Sequence, residues 1–122
     1  MTTITVKGDH VTFQWSGLRS LLAFRSAITV PRSAIVGARH DPKIRVQGWR
    51  APGTHLPGVF AAGSFHRRGG TVFWNVRHRR NAVVVDLHGA EFSALVIEVA
   101  DVTATLAKLN RIATANLHPT AS

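Results

Sequence analysis

Apolar and polar residues alternate in short runs along most of this chain, and the period changes once, near residue 101. His10–Ser16 sets the pattern, with Val11, Phe13 and Trp15 on one face and Thr12, Gln14 and Ser16 on the other. A period of two belongs to a half-buried strand in an antiparallel pair. Thr3–Lys7 precedes it across a Gly8-Asp9 turn, and Ser26–Val30, Ile35–Arg39 and Lys43–Gln47 continue the strand series. Pro31 ends the first of these because it has no N–H for a ladder, and Asp41-Pro42 is a turn signal before the last. The apolar stretch 18–24 is short and is expected to be a connection. GWRAPGTHLPG (48–58) holds three Gly and two Pro, so a loop is expected there, dividing two strand groups. Val59–His66, Thr71–Arg77, Ala82–Leu87 and Ala94–Val99 then read as a meander. Past Asp101, a good N-cap residue, Val102, Leu106, Leu109 and Ala113 recur at helical spacing, which predicts an amphipathic helix over 102–113.

The length, 122 residues, fits one domain with its own core, expected over 1–116 with a loose tail at 117–122. With 45% apolar residues the chain is packable, and with no cysteine it forms neither disulfides nor thiolate zinc sites. The opening MTTITVKGDH lacks the apolar core of a signal peptide, and no apolar run reaches the roughly 20 residues of a spanning helix. The expected location is the cytoplasm, with peripheral association at the inner membrane surface as an extension of that reading.

Charge changes the picture more. The formal net charge is +9, and twelve of the fifteen Lys and Arg lie between residues 19 and 80 with a single acid, Asp41. Such a field speeds encounters with anions but says nothing about fold. An Arg-biased, Ala-rich composition also follows from a GC-rich genome. The charge is densest in SFHRRGGTVFWNVRHRR (64–80). A hairpin turning at Gly69-Gly70 would pair Phe65 with Trp74 and His66 with Phe73. Its outer face then carries His66, Arg68 and Phe73, with Arg77, Arg79 and Arg80 at the far turn. That set could stack a base or grip an anion, or else be a solvated basic edge that resists aggregation. Trp15 and Trp74 read as core. Trp49 with Arg50, inside the expected loop, is a second candidate contact point.

Three stretches, ITVPRSAIVGAR (28–39), GTHLPGVFAAGSF (53–65) and GGTVFWNV (69–76), followed by the amphipathic C-terminal helix, resemble the small bacterial pleckstrin-homology-like (PH-like) proteins. The resemblance spans about residues 4 to 113. It implies a mostly β fold: a partly open barrel of two packed antiparallel sheets capped by the helix at about 102–113. It also implies a binding or scaffold module, engaging a protein partner or itself, rather than an enzyme. Lipid-binding eukaryotic relatives carry a basic loop between the first two strands and a Trp in the last helix. This chain has only Lys7-Gly8-Asp9-His10 there and no Trp in 102–113, so phosphoinositide recognition is not expected.

No residue set argues for catalysis. His66, His78 and His88 lack ligand spacing, so neither a metal nor another cofactor is expected. Scattered members such as Ser64, His66 and Asp86 lack a nucleophile motif, and GTHLPG has no following helix to hold a phosphate. Three readings remain: a PH-like module binding a protein or itself through a sheet edge or the 48–58 segment, a binder of nucleic acid or an anionic lipid surface through 64–80, and a small hydrolase or ligand-binding barrel.

Overall fold

The computed structural model describes residues 2–15, 27–44, 49–56, 60–67, 70–76 and 78–117, with 49–56 and 60–67 described by backbone alone. Thr3–Lys7 (β1), His10–Gln14 (β2) and Ala27–Pro31 (β3) form an antiparallel sheet in that order. A 3-10 turn, Arg32–Ala34 (η1), leads into a second sheet. Its strands are Ile35–His40 (β4), Trp49–Leu56 (β5), Phe60–Arg67 (β6), Gly70–Val76 (β7), Ala82–Leu87 (β8) and Ala94–Glu98 (β9). They lie in the order β4-β8-β9-β7-β6-β5, antiparallel throughout except for the parallel pair β7 and β9. A second 3-10 turn, Arg79–Asn81 (η2), precedes β8, and one helix, Val102–Leu117 (α1), follows β9. The protein is therefore mostly β, two sheets with a C-terminal helix, and the sheets stay partly open rather than closing into a barrel.

The alternation at β2 does what it promises: Val11, Phe13 and Trp15 are buried while His10 and Gln14 are exposed. They join Ile28 and Val30 from β3, the inward row Val83, Val85, Leu95 and Ile97 from the larger sheet, and Leu109, Ile112 and Ala113 from α1 in one core. Each such aliphatic side chain contributes about 1.5–3 kcal/mol by leaving water. Asp101 starts the helix as expected, its Oδ1 accepting the Ala104 N–H at 3.0 Å. The helix runs one turn past the predicted end, to Leu117, so Leu117 belongs to it rather than to the tail.

Several expectations give way. The Pro/Gly stretch 48–58 is not a loop over most of its length; Trp49–Leu56 is a strand at the sheet margin. Its register with β6 shifts between Arg50 and Gly53, and that irregularity spans Pro52, whose missing donor is tolerated only at an edge or bulge. The two sheets divide at η1, between β3 and β4, instead of at 48–58. Pro42 forms the expected turn, but Lys43 belongs to it rather than opening a strand, while 45–48 and the connection at 18–24 lie outside the described residues. The meander is broken because β9 inserts between β7 and β8. Strands with continuous apolar runs demand cover on both faces, which only central positions supply. β9, buried at every position, takes the middle.

The hairpin β6–β7 is offset by two residues from the predicted pairing, which moves the partners but leaves each residue on its predicted face. Arg67 opposes Gly70, Phe65 opposes Val72 and Ser64 opposes Phe73. Gly70 is held in the strand by a close approach: its φ is +136°, and a Cβ there would meet Ser93 at 3.0 Å. The face that carries Phe73, expected to meet solvent, is covered instead. Phe73 is fully buried, stacked on Trp15 with ring centroids 5.0 Å apart and tilted against Phe92 at 5.6 Å. Trp74 is buried as well, but on the opposite face of the sheet, with Val72, Val76, Val84 and Val96 and with Ile44 packed against them. β7 is core on both sides.

Candidate functional site

The basic segment that looked continuous in sequence is divided by β7. The strand has seven residues, which places its ends about 20 Å apart. At one end the register sets Trp49 opposite His66 and Arg50 opposite Phe65, beside the Arg67–Gly70 pair. The two candidate contact points are thus neighbours, on the outer strand and the strand next to it. At the other end lie Arg79 and Arg80. Arg68 and Arg77 lie outside the described residues.

Arg79 and Arg80 acquire partners that sequence order does not suggest. The His40 Nε2–H donates to the Arg80 carbonyl at 2.8 Å, and Arg79 Nη1 donates to the Ile44 carbonyl at 3.3 Å. The end of β4, the turn after it and η2 therefore form one corner, with His40, Lys43, His78, Arg79 and Arg80 all exposed. Lys43 and Arg80 make no ion pair among the described residues. Acids temper the corner. Asp41 sits in the turn, its N–H bonded to the Ala82 carbonyl at 3.0 Å. Asp86 pairs with Arg39 at 2.8 Å, and Glu98, 2% exposed, accepts the His78 N–H at 3.3 Å. Four Lys and Arg against these three carboxylates leave little net charge.

The margins of the larger sheet contrast more sharply. β4 is an edge strand, yet α1 lies along it. Asn110 accepts the Ala38 N–H on its Oδ1 at 2.9 Å and donates from Nδ2 to the Ala38 carbonyl at 3.0 Å. That is the donor and acceptor pair a neighbouring strand would offer. Asn116 Nδ2 donates to the carbonyls of Arg32 and Ile35 at 2.7 and 3.0 Å. Lys108 reaches the Ile4 carbonyl of β1 at 3.4 Å, so the helix spans from β1 to β4. β5, at the opposite margin, has β6 as its only ladder neighbour among the described residues.

Sequence reasoning missed Asn110 and Asn116. Their signal was faint: asparagine inside a helix competes with the backbone and is disfavoured there unless its amide is used elsewhere. Among the described residues no three His, Asp or Glu converge in a way that could hold a metal ion, and no helix is long and apolar enough to cross a membrane. A scan against protein-family models gives no match to this chain, and searches of curated proteins and of solved structures give none either.

Proposed function

We propose that this chain is a non-enzymatic, PH-like binding module of the cytoplasm that engages a protein partner, or a copy of itself, by accepting an added strand at β5. The observation that carries the reading is the unequal finish of the two sheet margins. On β4 the N–H and C=O of Ala38 and the C=O of Ile35 are met by Asn110 and Asn116, whereas β5 is followed by no further strand among the described residues. An edge strand presents a row of donors and acceptors, and strand addition is the recognition mode that uses them. Two sheets, a filled core and a C-terminal helix agree with the PH-like architecture at the level of element content. The test is direct. The full chain is titrated with short Thr/Val-rich extended peptides of several charges and is followed alone by light scattering over a concentration series. Binding of a peptide, or a dimer, supports the reading; a strict monomer that binds no peptide removes it.

A second reading has its own observation, the corner that gathers Lys43, Arg79, Arg80 and His40. Contact there with about three phosphates of nucleic acid would make log K fall with log salt at a slope of roughly −2.7 on duplex DNA. An absent or salt-independent gel shift excludes it. The three carboxylates at the same corner, and the distance to the hairpin tip, argue against a continuous polyanion track.

A further inference from the structure

The two halves of the larger sheet differ in charge as sharply as its margins differ in hydrogen bonding. Residues 42 to 85 contain eight Lys and Arg and no Asp or Glu. β5, β6 and β7 fall wholly inside that stretch, whereas Asp86 and Glu98 belong to β8 and β9, and Asp41 follows β4. β5 is the outer strand of the acid-free half and carries Arg50 and His55.

We infer that the occupant of the β5 edge is an extended, acidic peptide segment of another protein, and that a second copy of this chain is not. The inference rests on the reading of β5 as an acceptor edge and names its partner. A copy pairing antiparallel through β5 would lay one basic strand against another and bring together two chains of net charge +9 each. Like charges across a strand pair destabilise it, and like net charge slows the encounter. An acidic segment reverses both terms. Carboxylates at alternate positions share one face of the added strand, beside the half of the sheet whose sequence holds eight Lys and Arg and no acid, while the backbone completes the ladder. The register break between Arg50 and Gly53 limits the uninterrupted stretch to Gly53–Leu56. With β4 met at Ala38 and Ile35 by Asn110 and Asn116, β5 is the margin of the larger sheet that accepts a segment.

The experiment uses the full chain and three labelled eight-residue peptides followed by fluorescence anisotropy. One alternates Glu with Val, one alternates Lys with Val, and one keeps the glutamates but carries prolines that abolish the ladder. The expected result is 1:1 binding of the first alone, with Kd rising roughly tenfold from low to physiological salt as exposed charges are screened. Backbone groups of an edge strand point alternately to its neighbour and away, so of Thr54→Pro and His55→Pro only one removes an outward N–H. That variant should keep the wild-type melting temperature and lose the peptide at least tenfold, while the other should lose stability. Equal binding of the lysine peptide or of the proline-bearing peptide overturns the inference, as does affinity unchanged in both variants. Dimers that the outward proline dissolves, with no acidic peptide bound, overturn it and leave the edge reading standing. A monomer that binds none of the peptides overturns both.

Discussion

At β4 the larger sheet ends against a helix whose asparagine amide bonds the N–H and C=O of Ala38, whereas at β5 it ends on a strand that contains Pro52 and a register break. Both are edges, and both face the hazard of unwanted pairing. The first is closed by a side chain that imitates a strand, held in place by Leu109 and Ile112 in the core beneath it. The second is only interrupted: proline removes one donor and the bulge twists the ladder, but the backbone from Gly53 to Leu56 keeps regular pairing with β6. A closed edge serves stability and an interrupted one leaves room for a short partner.

The comparison presupposes that the β5 half is fastened to the same core as the β4 half, and Phe73 is the residue that fastens it. It lies on β7, fully buried between Trp15 and Phe92. Phe73→Ala should cost about 3–5 kcal/mol through lost transfer energy and the cavity left behind. The drop in urea midpoint measures it; a loss below about 1 kcal/mol would place Phe73 outside the core.

Next in size is the guard itself. Asn110→Ala leaves the Ala38 N–H and C=O, both part-buried, without their partners, at a cost of about 1–2 kcal/mol after the gain in helix propensity. The sharper readout is association. With β4 unguarded, light scattering should show concentration-dependent dimers. A lysine at the exposed bulge position, Val36→Lys, should return the variant to monomer, because charge on an edge opposes pairing. A variant that is merely less stable, and monomeric at high concentration, would show that the bulge between Ile35 and Gly37 protects β4 unaided.

Much of this contrast was legible in the sequence, and the illegible part has definite causes. β2, β8 and the start of α1 declared themselves because each has one clean signal: alternation between Val11 and Trp15, a bounded Val run at 83–85, and Asp101 before a 3.6-residue period. Phe73 was misjudged because its face was assigned correctly but read as solvent: Val72-Phe73-Trp74 is apolar on both parities, and the face that carries Phe73 is covered by Trp15 and Phe92, which lie far away in sequence. Strand order failed for a related reason, since local periodicity does not record that β9 inserts between β7 and β8. The 48–58 segment hid a strand behind proline and glycine, whose turn preference is overridden at an edge. Of the candidate contacts, Trp49, Arg50 and His66 were named separately, and only the register made them adjacent. The asparagine guard depends on a contact across 72 residues and left no local trace beyond its helix position.

The smallest effect concerns the ion pair that sits next to the guarded edge without belonging to it. Arg39, on β4, and Asp86, on β8, meet at 2.8 Å with side chains 54% and 42% exposed. Each is well solvated, so their attraction is screened and is offset by the ordering of two long side chains. Asp86→Asn should therefore change stability by less than about 0.5 kcal/mol and leave the oligomeric state untouched, with the residual effect fading in salt. If the same substitution instead produced dimers, charge rather than the Asn110 amide would be what keeps β4 closed. The difference between the margins would then be electrostatic in origin. The expected insensitivity keeps the distinction where the hydrogen bonds put it: one edge has backbone groups satisfied from outside the sheet by Asn110 and Asn116, and the other has no such cover among the described residues.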